Sequence, residues 1–162
     1  MTGRGRQVAL TDAERAGLLA ALDDEHRALA TYDAVLRDFG DVLPFRNIRR
    51  SEARHIAALE TLCRRHGVAI PDNPWHGRTE RHGSLAEACA AGVAAELANA
   101  ALYERLFAST KRLDLLRVYR HLAAASQQRH LPAFRRCMAR LQGAQRQGPC
   151  GGRAARCAGD VS

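Results

Sequence analysis

Residues 45–67 read FRNIRRSEARHIAALETLCRRHG, and the spacing inside this stretch decides the fold. Phe45, Ile48, Glu52, His55, Leu59 and Leu62 recur at intervals of three and four, the period of one face of an α-helix. The ends of the stripe are apolar, so this is the face that should be buried. Glu52 and His55 sit in its middle. Burying an unpaired carboxylate costs several kcal/mol, against a total stability of about 5–15 kcal/mol for a domain. An opposite charge, a proton or a metal ion must compensate.

Working outward, three more stripes carry the same anomaly. The first helix should start near Thr11, where Thr-Asp-Ala-Glu forms a capping box, and stop at Gly40. Its stripe is Leu18, Leu22, Glu25, Leu29, Tyr32, Leu36 and Phe39. Pro44 suits the first position of the second helix, which Gly67 should end. Ser84 should cap the third, with the stripe Leu85, Cys89, Gly92, Glu96, Asn99, Tyr103 and Leu106. A break at Ser109–Arg112 leads into the fourth, with Leu116, Tyr119 or Arg120, Ala123, Gln127, His130, Phe134, Cys137 and Leu141. Pro132 should bend that helix, because it lacks a backbone donor and clashes with the preceding turn.

The connections set the topology. The turn at residues 40–43 is short, so helices one and two should be antiparallel neighbours. Residues 67–83 hold Pro71, Pro74 and three glycines, with no helical period. A connection of that length can run back along a ~20-residue helix, near 30 Å, as a crossover requires. The expected organisation is a flexible N-terminus at residues 1–10, a four-helix bundle at 11–142, and a disordered Gly/Arg-rich tail at 143–162.

The misplaced polar residues also form an internal repeat. The first half reads Glu25-x6-Tyr32, then Glu52-x-x-His55; the second reads Glu96-x6-Tyr103, then Gln127-x-x-His130. Folded as two antiparallel hairpins, the halves bring these groups together near mid-bundle. One glutamate from each of two helices, with an acid-x-x-His pair from each of the others, is the layout of two-metal sites in helical bundles. Carboxylate with imidazole suits iron or manganese, and no cysteine lies at a ligand spacing that favours zinc. The candidate ligands are Glu25, Glu52, His55, Glu96, Gln127 and His130. Tyr32, Tyr103 and Asn99 share their stripes and could hydrogen-bond to the metal-bound carboxylates.

Bulk properties narrow the class. The 162 residues are 46% hydrophobic, 26% charged and only 5% aromatic, ordinary for one helix-rich domain. No signal peptide is evident and no run reaches the ~20 apolar residues of a membrane span, which points to the cytoplasm. Five cysteines without a framework spacing agree with a reducing compartment. Cys63, Cys89 and Cys137 read as small core residues, while Cys150 and Cys157 lie in the tail. Net charge is +8, which would favour nucleic acid, but the arginines are scattered over every segment. Neither a nucleophile triad nor a phosphate loop has a signature here.

Over residues 11–142 these motifs resemble the ferritin-like superfamily of di-iron carboxylate bundles. RNIRRSEARHIAALETLCRRHG is similar to a bacterial branch known as a domain of unknown function. The resemblance implies an all-α ferritin-like four-helix bundle with a long crossover between helices two and three. It also implies two iron ions, alternatively manganese, at a site that reacts with dioxygen or peroxide, ferroxidase activity included. Gln127 departs from the second Glu-x-x-His of many di-iron oxidases. The set then offers three negative charges, so the ion nearer Glu52 and His55 should be held more firmly. The rival readings are a non-catalytic iron-binding or storage module assembled as a homo-oligomer, and a basic nucleic-acid-binding bundle.

Overall fold

The computed structural model describes residues 8–146; the expectations for residues 1–7 and for the tail from 147, with Cys150 and Cys157, lie outside the described residues. Helix α1 spans Asp12–Phe39, α2 Phe45–His66 and α3 Leu85–Ser109. The fourth rod is α4, Leu113–Ala125, a π-helical turn, Ser126–His130, and α5, Leu131–Arg146. Among the described residues the fold is all helical, four rods and no strand.

The ends follow local chemistry. Thr11 and Glu14 close a reciprocal capping box on α1, and the left-handed Gly67 (φ +65°) closes α2. Pro44 stays in the turn one residue ahead of α2 rather than inside its first turn. The corner between α3 and α4 is tied to the start of α1. Glu14 accepts hydrogen bonds from the Thr110 hydroxyl (2.7 Å) and from Arg112 Nε (3.0 Å). At the other chain end the helix continues to Arg146, past the Gly143 at which the composition turns tail-like.

The apolar side chains gather in two cores. One holds Leu18, Leu22, Leu59, Leu62, Tyr103 and Tyr119. The other holds Tyr32, Phe45, Ile48, Cys89 and Phe134. Each of the four rods passes through both, so each must cross the layer between them. That layer carries Glu25, Glu52, His55, Glu96 and His130, every one buried. The connection 67–84 follows α1: Val68 joins the first core, Trp75 Nε1 donates to Asp23 (2.8 Å), and Arg81 binds Asp38 near the end of α1 (2.8 and 3.0 Å).

The fourth rod differs from its predicted stripe in a specific way. From His130 onward the buried positions are His130, Leu131, Phe134 and Cys137, all but Leu131 as the spacing predicts. Before it they are Leu115, Tyr119, Leu122, Ala125 and Ser126, so Leu116, Ala123 and Gln127 are each one residue out of frame. The cause is the wide turn itself. The Leu131 N–H reaches back five residues to the Ser126 carbonyl, which inserts one extra residue into the helix. Pro132 supplies the reason: it has no N–H, and its ring would crowd the preceding turn of a regular α-helix. The predicted bend is therefore a widened turn.

Two further expectations need correction. Cys89 and Cys137 are buried, but as a disulfide linking α3 to α5, with Cα atoms 6.4 Å apart; Cys63 is buried and free. The pairing follows from register, since each cysteine lies seven residues from a site residue, Glu96 or His130, in antiparallel directions. In addition, α3 reaches a mean hydropathy of 1.3 and by length and composition alone could cross a membrane. Its apolarity is alanine, and it packs against α1 and α5 with Glu96 buried at its middle.

Candidate metal centre

Within the polar layer two groups converge: Glu25, Glu52 and His55, and Glu52, Glu96 and His130. In each group one donor atom per residue lies within 4.8 Å of the others. Glu52 belongs to both. One oxygen, Oε2, faces His55 Nδ1 at 2.7 Å; the other, Oε1, faces His130 Nδ1 at 3.1 Å. Glu25 approaches His55 Nδ1 at 3.1 Å from one side, and Glu96 approaches His130 Nδ1 at 3.4 Å from the other. The two imidazole rings stack with centroids 5.7 Å apart.

The tyrosines bind across the halves. Tyr32 of α1 donates to Glu96 Oε1 of α3 at 3.4 Å, and Tyr103 of α3 donates to Glu25 Oε1 of α1 at 3.1 Å. Both hydroxyls are raised well above the ordinary tyrosine value, first by burial and then by the nearby carboxylates, so they remain donors. The Asn99 side chain hydrogen-bonds away from Glu96: its Nδ2 donates to Asp24 at 2.9 Å. Gln127 is partly exposed, and its Nε2 donates to the Glu96 backbone carbonyl (2.9 Å) and to Ser126 Oγ (3.1 Å). Ser126 takes the inward position, its hydroxyl hydrogen-bonded to Glu96 Oε2.

Sequence reasoning missed two serines. Ser51 Oγ lies 3.2 Å from His55 Nε2, and Ser126 lies beside Glu96. The signal was present: Ser51–His55 reads SEARH and Ser126–His130 reads SQQRH, so a serine precedes each site histidine by four residues. Two further histidines are engaged outside the layer. The His66 side chain is buried against Asp114 at 2.7 Å, and His26 is buried beneath the long connection.

The electrostatics follow from burial and pairing. Burial pushes the Glu25 carboxyl up to about 8 against the pull of His55. For Glu52 burial works the same way, but the bonds from His130 and His55 prevail and hold it at about 2. Burial opposes charge on His55 and His130, yet the carboxylates facing them raise both to about 9. Among the described residues no arginine or lysine pairs with the three glutamates; their cationic partners are these imidazoles. A buried set of three carboxylates and two imidazoles is the donor chemistry of a first-row metal site.

Fold and centre together define a class: an all-helical four-rod protein whose mid-layer glutamates and histidines are placed to hold a metal ion. Known structures agree at the level of the fold. A hypothetical protein from Methanococcus jannaschii DSM 2661, solved by crystallography, superposes with a TM-score of 0.76 at 21% identity, over 87% of each chain. No family model matches the sequence, and no curated protein does.

Proposed function

We propose that this chain is a ferritin-like protein that binds two metal ions, iron or manganese, and reacts with dioxygen or peroxide. The observation that carries the reading is Glu52, one carboxylate shared between two buried Glu/His groups. On this reading the connection 67–84 is the crossover of the bundle. Glu25 and His55 would hold one ion and Glu96 and His130 the other, with Glu52 bridging. Iron or manganese would supply the redox chemistry. The chain's own part is to orient the ligands, through Tyr103 on Glu25 and through Tyr32 and Ser126 on Glu96. Gln127 stands behind them, fixing the backbone of Glu96. The two apolar cores exclude bulk water from above and below the layer.

Anaerobic titration with ferrous iron or manganous ion tests the reading. Wild-type protein should take up two ions per chain, and Glu52→Gln should weaken both by at least about tenfold while remaining helical. Admission of air to the ferrous protein should then produce a ferric absorption. A wild-type chain that retains no metal, or a Glu52→Gln chain that binds both ions unchanged, would refute the site; an unchanged spectrum in air would refute the reaction.

A further inference from the structure

A cavity of about 410 Å³ opens between α1, α3 and residues 75–82 of the long connection, and the Glu/His layer forms its inner end. We infer that this cavity is the binding site for a small, mostly apolar organic substrate bearing a hydroxyl or amide group, held against the metal centre. The inference rests on the function proposed above and adds its substrate class.

The walls argue for an organic molecule. One side is Ala88, Ala91, Gly92 and Ala95 of α3, and the other includes Ala28 and Tyr32 of α1. These are methyl groups, a bare backbone and an aromatic ring. They give a good surface to hydrocarbon, and the charged lining residues Arg27, Arg78 and Glu80 are solvent-exposed. The volume falls in the ~300–1,000 Å³ range of small-molecule pockets. The roof is kept in place from outside: Trp75 is tied to Asp23, and Arg81 to Asp38, both on α1.

Two polar atoms specify the functional group. Asn99 and His82 both line the cavity, and Asn99 Oδ1 and His82 Nε2 are buried without a hydrogen-bond partner. The orientation of Asn99 is fixed because its Nδ2 donates to the Asp24 carboxylate, which leaves Oδ1 as an acceptor. A buried polar atom without a partner has given up its hydrogen bond to water and is costly to leave so. A ligand O–H or N–H at Asn99 would remove that cost, while its apolar body occupied the slot.

The test uses the full chain, with and without manganous ion, and three probes of similar size: 4-methylphenol, benzamide and toluene. Calorimetry should show the first two binding about tenfold more tightly than toluene. Asn99→Leu should abolish that preference. Ala91→Phe, which fills the slot, should weaken all three at least tenfold while the chain still binds two manganous ions. If Ala91→Phe does not fold, Thr31→Trp blocks the opposite wall. Absence of binding to the wild-type chain, or binding unaffected by the blocking variant, overturns the inference with the metal count intact. Loss of the metal count instead strikes the proposed function, and probe binding to the metal-free chain still reads the slot by itself.

Discussion

Gly92→Ala should destabilise the protein even though alanine is the better helix former. A Cβ on Gly92 would lie 2.7–2.8 Å from the Phe134 ring, whereas ordinary contact begins near 3.4 Å, so the ring must retreat by about 0.7 Å. It has little room to do so. Phe134 is fully buried, with ring centroids 5.6 Å from Tyr32 and 5.2 Å from Phe45. Overpacking costs about 1–3 kcal/mol, and a ring with so little room belongs in the upper part of that range, about 2–3, while the gain in helix propensity returns about 1. The expected net loss is about 1–2 kcal/mol, or roughly 2–8 °C in Tm for a chain of this size. Urea denaturation of four proteins measures it: wild type, Gly92→Ala, Phe134→Leu and the double variant. In the Phe134→Leu background the clash is relieved and Gly92→Ala should become neutral or stabilising. A Gly92→Ala single variant as stable as the wild type would refute the steric argument.

Two further outcomes follow from other contacts. The Cys89–Cys137 bond closes a loop of 48 residues, so its reduction, or paired Cys→Ser substitution, should cost about 4 kcal/mol on the chain-entropy model; equal denaturation midpoints with and without reductant would count against the bond. The Glu14 carboxyl is held near 2, below its ordinary 4.5, first by the Thr110 hydroxyl and also by Thr11 and Arg112. Its folded value is depressed, so its contribution is complete above pH ~4.5 and disappears as pH falls toward 2, about 1–2 kcal/mol after allowance for solvent screening. Glu14→Gln should flatten stability across that window, and an unchanged acid limb would exclude the pairing.

Much of the centre was legible because an acid on an apolar stripe has few physical explanations. Glu25, Glu52, His55, Glu96 and His130 each broke a regular hydrophobic period, and the structure draws all five into one buried layer. The hairpin geometry followed from capping residues and turn lengths, which act locally. The upstream half of the fourth rod was not legible in the same way. Periodicity assumes a constant 3.6 residues per turn, and a widened turn violates that assumption without changing composition. The Cys89–Cys137 bond was hidden for a different reason: pairing depends on the relative register of α3 and α5, which neither stripe alone contains. The slot beside the centre was invisible too, since alanines on a helix predict packing as readily as they predict empty space.

The π turn gives the fourth rod an unusual sensitivity to length. Each residue in a helix turns the chain by about 100°, so deleting Gln128 would let the rod close into a regular α-helix with its upstream half still in phase: Ser126, Leu122 and Leu115 would stand three, seven and fourteen residues before His130. Closing the turn without a deletion, as Pro132→Ala would favour, would instead swing Gln127 toward the carboxylates in place of Ser126, and Leu116 would compete with Leu115 for the core. Which side chain greets Glu96 is thus decided by arithmetic along the backbone, and tightening one turn at full length would exchange a hydroxyl for an amide there without altering either residue.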